Sequence, residues 1–141
     1  MIFTMLPAAA LADKTASGNC GANGNNVKWT LKNGVLTISG KGEMADYEIM
    51  DTPWYGLDVT SAVIKSGVTD IGESAFGCCS SLKSVTIPNT VTKLKESAFN
   101  GCPDLKSVTL PDSVKSIGKF AFGCCESLTS LTIPKNVTSI D

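Results

Sequence analysis

Leu82-Lys83-Ser84-Val85-Thr86-Ile87-Pro88 returns 23 residues later as Leu105-Lys106-Ser107-Val108-Thr109-Leu110-Pro111. The register runs on in both directions without insertion, so that Val68, Val91, Val114 and Val137 form one column and Ile71, Leu94, Ile117 and Ile140 another. Further columns are Ala75/Ala98/Ala121, Phe76/Phe99/Phe122, Cys79/Cys102/Cys125 and Leu82/Leu105/Leu128. A fixed period of this length is the mark of a solenoid, in which each unit buries its apolar side only by stacking on its neighbours.

Within one unit, Leu-x-x-Val-x-Ile/Leu gives a short strand with Val85 and Ile87 inward and Thr86 outward. Pro88, Pro111 and Pro134 end these strands, because proline has no N–H to continue a ladder. The next Val and Ile/Leu anchor a second side, and the Ala-Phe pair is expected to supply a helical or 3₁₀ third side. The expected fold is therefore an α/β repeat solenoid with 23-residue coils, a short parallel β-sheet on one face and short helical or 3₁₀ segments on the other. Residues 62–141 hold about three and a half such coils. The first has Lys65 where later coils have proline, as a terminal repeat beside a cap would. The chain stops before the last coil regains its Ala-Phe and Cys-x-x-Leu columns, so the expectation is a fragment of a longer repeat protein with an anchoring module beyond residue 141.

Upstream, Val27, Trp29 and Leu31 alternate with polar residues, Asn33-Gly34 follows, and Val35-Leu36-Thr37-Ile38 comes next. Asn-Gly suits a two-residue type I′ turn, since both central residues need positive φ. The turn predicts Leu31 opposite Leu36 and Trp29 opposite Ile38, so residues 27–61 read as a β-hairpin cap and connector over the open end of the solenoid. Trp54, Tyr55 and their neighbours either seal that end or offer a carbohydrate platform; the bulk a cap needs favours sealing. Residues 13–26, rich in Gly, Asn and Ser, read as a flexible linker. Residues 1–12 end in Ala10-Leu11-Ala12 and read as a signal peptide, truncated because no basic residue precedes Lys14. The apolar run is about half the roughly 20 residues a spanning helix needs, so no membrane insertion of the mature chain is expected. The alternative is a buried terminal segment.

The units Val-Thr-Ile-Pro-x-x-Val-x-x-Ile-Gly-x-x-Ala-Phe-x-x-Cys-x-x-Leu closely resemble the BspA-like, or Treponema pallidum type, leucine-rich repeat of bacterial surface and secreted proteins. Departures are Lys95, where Gly72 and Gly118 stand in the other coils, and the extra Cys78 and Cys124. The resemblance implies a non-enzymatic secreted or cell-surface protein that contacts a protein or cell-surface ligand by adhesion or protein–protein binding. A structural spacer presenting another domain of the same polypeptide is the alternative.

Chemistry points the same way. The net charge of -1, with 12 scattered basic residues, offers no footprint for nucleic acid. No histidine is present, which removes the usual general base and metal ligand. No catalytic, cofactor or metal site is expected. Six cysteines in an exported chain suggest disulfides or a metal. Coils about 4.8 Å apart would instead hold Cys79, Cys102 and Cys125 as a parallel ladder, whereas a disulfide needs Cβ atoms converging to about 3.8 Å. Reduced cysteines filling a corner are expected, with Cys20 left open.

If the sheet binds a partner, the outward positions are Ser84, Thr86, Ser107, Thr109, Ser130 and Thr132, with Lys83 and Lys106 at the rim. The competing reading is that small hydroxyl residues are simply good solvent-facing strand formers. Four short strands give a face of about 150 Å², against about 800 Å² per partner in a standard interface.

Overall fold

The computed structural model describes residues 15–141; the signal segment expected at residues 1–12 lies outside the described residues. The first element is a correction to the linker expected at residues 13–26. Thr15–Gly21 forms strand β1, antiparallel to β2, Gly24–Lys32. Gly18 is there for close approach rather than flexibility: a Cβ on it would lie 2.8 Å from Nε1 of Trp29, its cross-strand partner.

β2 turns through Asn33 (φ 51°) and Gly34 (φ 78°) into β3, Val35–Gly40. Leu31 pairs with Leu36 and Trp29 with Ile38, and these four side chains form the buried face of the hairpin. The hairpin does more than lie over the end of the solenoid. β3 pairs in parallel with β5, Ser61–Ile64, which pairs with β7, Ser84–Thr86, which pairs with β9, Ser107–Val108. The result is one six-stranded sheet in the order β1-β2-β3-β5-β7-β9.

A second, five-stranded sheet forms the next side. It is built from β4 (Gly42–Glu43), β6 (Val68–Ile71), β8 (Lys93–Leu94), β10 (Ser116–Ile117) and β11 (Ser139–Ile140), all parallel. The turn between the sheets repeats with the prolines: Val91, Val114 and Val137 donate their N–H groups to the carbonyls of Pro88, Pro111 and Pro134 at 3.1, 3.1 and 3.2 Å. Proline cannot donate, yet its carbonyl closes each corner.

The third side differs from the helical or 3₁₀ segments expected, for no helix occurs among the described residues. Each coil there is a run of turns whose alternate N–H groups bond to the next coil instead of up their own chain. Ser74 donates to Glu96, Phe76 to Ala98 and Cys78 to Asn100, at 3.0, 2.8 and 2.8 Å, and Ser97, Phe99 and Gly101 repeat the pattern one coil on. The local cause is conformational. Ser74, Ser97 and Phe120 have φ of 51°, 55° and 54°, and Cys78, Gly101 and Cys124 have 57°, 77° and 52°. Two left-handed residues in five leave no room for an α-helical turn. The extra cysteines thus share a register position with Gly101, and that position is defined by its backbone.

Between the three sides runs the core. Phe76 stacks on Phe99 with ring centroids 5.0 Å apart, and Phe99 on Phe122 at 5.4 Å. Trp54 meets Phe76 at 6.0 Å and Trp29 edge-on at 5.8 Å, so the aromatic column runs from the hairpin into the coils. Burying each repeated phenylalanine contributes roughly 1.5–3 kcal/mol. The indole Nε1 of Trp54 donates to the Ala75 carbonyl at 3.0 Å, which satisfies its buried polar atom.

Candidate interaction surface

The inward/outward alternation that buries Val85, Leu110 and their kin leaves Lys83, Ser84, Thr86, Lys106, Ser107, Thr109, Ser130 and Thr132 exposed. Register brings only some of them together. Ser61, Ser84 and Ser107 are successive partners in the parallel ladder, and Thr86 pairs with Val63. Thr109 lies just past β9, and Ser130 and Thr132 belong to no strand. The lysines sit on a backbone ladder beside the sheet, where Lys83 donates to Thr60 at 2.9 Å and Lys106 to Lys83 at 3.1 Å.

The sequence reading missed the other half of this face. Thr37 pairs with Val63 on one side and Thr30 on the other, and Thr30 pairs with Ser17; Lys32 pairs with both Val35 and Thr15. The signal lay in the polar members of the Val27–Leu31 alternation, Lys28, Thr30 and Lys32, which the cap reading did not join to the outward positions of the coils. Six strands about 4.8 Å apart span about 24 Å, and with strands averaging about five residues the face is roughly 400 Å². That is well above the four-strand figure and about half of a standard footprint.

Cys20, Cys79, Cys102 and Cys125 are chemically quiet. All six cysteines are free. Cys102 Sγ donates to the Phe76 carbonyl and Cys125 Sγ to the Phe99 carbonyl, each at 3.1 Å, so these thiols tie one coil to the preceding one. Burial pushes Cys20 and Cys79 up to about 12 and raises Cys102 and Cys125 as well, which keeps all four protonated near neutral pH. Among the described residues no group of three or more His, Cys, Asp or Glu side chains is placed to hold a metal ion. No helix of the described residues is long and apolar enough to cross a membrane.

The departure at Lys95 has a structural use. A Cβ on Gly72 would lie 1.9 Å from the Ala45 carbonyl and one on Gly118 2.6 Å from the Glu96 nitrogen, so neighbouring backbone excludes a side chain at both. Lys95, between them in register, sends its ammonium back to Asp46 Oδ1 at 3.0 Å and Glu43 Oε2 at 3.5 Å, joining the second coil to the connector.

No curated protein matches the chain. Among solved structures it is similar to a leucine-rich repeat protein from Eubacterium ventriosum, with a TM-score of 0.73 and 29% identity over 91% of this chain and 40% of that one. A leucine-rich repeat protein from Bacteroides ovatus gives a TM-score of 0.58 at 29% identity over 82% of this chain and 36% of that one. The T. pallidum leucine-rich repeat protein shares the fold, with a TM-score of 0.60 at 23% identity over 82% of this chain and 61% of the other. The chain therefore spans less than two thirds of each of these proteins. The profile described as BspA type leucine rich repeat region (6 copies) matches residues 47–141. With its coils, corner prolines and phenylalanine column accounted for, this chain belongs to the BspA-type leucine-rich repeat family.

Proposed function

We propose that this chain is a non-enzymatic interaction module of a bacterial secreted or cell-surface protein, binding a protein or cell-surface ligand through the outward face of the six-stranded sheet. The observation that carries the reading is the continuity of that face. Small hydroxyl and lysine side chains, with Val35 and Val63 among them, run from Ser17, Thr30 and Lys32 through Thr37 to Ser84, Thr86 and Ser107 across a single hydrogen-bonded sheet, and Thr109 lies just past its last strand. Short polar side chains on a rigid ladder bind with little loss of conformational entropy. At roughly 400 Å² the face supports weak contact alone and firmer contact when repeated along a longer solenoid. Export is supported by the small-x-small pattern that ends at Ala12.

The test is binding of fluorescently labelled chain to cultured epithelial cells and to intact bacteria, read by flow cytometry. A variant carrying Thr37→Ala, Thr86→Ala and Thr109→Ala should keep its thermal unfolding curve and lose binding. Binding that survives unchanged would move the site off this sheet. The second reading is a spacer presenting another domain of the same polypeptide, a role that coils stacked in register along one axis would serve.

A further inference from the structure

Of the four aromatic side chains in residues 27–61, Trp29, Tyr47 and Trp54 are engaged with one another and with Phe76. Tyr55 makes none of these ring contacts and is 47% exposed. It lines a cavity of about 350 Å³, together with Leu57, Asp58, Cys78, Ser80 and Ser81. One wall is the connector at residues 54–59 and the other the first coil's corner at residues 78–81. Both walls are held by hydrogen bonds. The Leu57 and Val59 N–H groups bond to Trp54 and Leu57 at 3.0 and 2.9 Å, Ser80 bonds to Cys78 at 2.9 Å, and the Trp54–Ala75 bond pins the connector to the coil. Gly56, at φ 75°, bends the connector, and a Cβ there would meet nothing within 4 Å, so the cavity stays open to solvent on that side.

The lining selects a ligand class. Asp58 is the one charged residue around the cavity and no basic side chain lines it, so an anion is repelled and O–H donors are favoured. Ser80 and Ser81 both donate and accept, while Tyr55 and Leu57 offer apolar surface to C–H groups. The volume lies at the lower end of the roughly 300–1,000 Å³ typical of small-molecule sites. We propose that this cleft between the cap and the first coil binds a neutral saccharide of one or two pyranose rings, independently of the sheet face.

Isothermal titration of the intact chain with cellobiose, N,N′-diacetylchitobiose and lactose tests this. Saturable binding of at least one sugar is expected, weakened by about tenfold or more in Tyr55→Ala and in Asp58→Asn, with unfolding curves unchanged. Should Tyr55→Ala fail to fold, the Ser80→Ala/Ser81→Ala double variant carries the same expectation. The Thr37/Thr86/Thr109 alanine variant should bind the sugar like the parent chain. No saturable binding of any of the three sugars, binding unchanged in the cleft variants, or tighter binding of glucose 6-phosphate than of the neutral sugars would overturn the proposal.

Discussion

The Lys95 ammonium lies 3.0 Å from Oδ1 and 3.3 Å from Oδ2 of Asp46, a residue 49 positions earlier in the chain. Asp46 also accepts the Glu73 N–H at 2.9 Å, so one carboxylate joins the connector, the first coil and the second. Burial by itself would raise the Asp46 carboxyl, but the Glu73 N–H and Lys95 outweigh it and hold it below its usual range. For Lys95, burial works to lower and the two carboxylates to raise, with a net rise.

Both shifts stabilise the folded chain between the two titrations. The Asp46 share is present above its ordinary value near 3.8 and is lost as pH falls through the lowered folded value. The Lys95 share is present below 10.5 and is lost as pH rises through the raised one. With side-chain exposures of 27% and 52% for Lys95 and Asp46, solvent screening keeps the pair modest. Lys95→Met should cost about 0.5 kcal/mol at pH 7, and the difference from the parent should shrink as pH falls below the Asp46 titration, as measured by urea unfolding across pH.

Phe99 stands between Phe76 and Phe122 with both neighbours stacked, and it is fully buried. Phe99→Ala should cost about 3–5 kcal/mol and Phe122→Ala less, because Phe122 is only partly buried. Equilibrium denaturation midpoints of the two variants check the order.

Cys124 combines exposure with a left-handed backbone at φ 52°. Cys124→Gly should be neutral or raise the melting temperature, since glycine adopts this conformation without steric cost. Cys124→Val should destabilise by about 1–2 kcal/mol. Equal melting temperatures for the two variants would show that backbone conformation does not govern this position.

The thiols give a reactivity order. In the folded protein near pH 8, Cys124 should alkylate first, with Cys20, Cys79 and Cys102 protected until unfolding, after which six thiols should titrate without reductant. Because their folded values are raised above the ordinary 9.0, these buried thiols stabilise the fold fully below about pH 9, and that share is lost as pH rises toward 12. Mass spectrometry after iodoacetamide labelling reads the order, and denaturant midpoints above pH 9 read the loss.

The repeat columns and the Asn33-Gly34 turn were legible because each rests on strong local chemistry: fixed spacing, proline at the strand end, and two residues able to take positive φ. β1 was hidden because Ser17, Gly18 and Asn19 have linker composition, and only the approach of Trp29 shows why a glycine stands there. The third side misled for a similar reason. Ala75-Phe76 fits a helix as well as a turn, and nothing in the letters of Ser74 or Cys78 announces left-handed backbone. The outward residues were found one by one, yet their continuity with Thr30 and Thr37 depends on β3 pairing with β5, a long-range choice that local pattern leaves open.

Neighbouring coils are joined along all three sides by hydrogen bonds that run parallel to the solenoid axis. A pull along that axis therefore loads those bonds lengthwise and a few at a time, as in unzipping, rather than shearing many together. Coils should part in succession, and each 23-residue unit, the offset from Ser61 to its partner Ser84, would release up to about 80 Å of contour length. A molecule built this way would yield to load coil by coil while the coils still stacked remain intact.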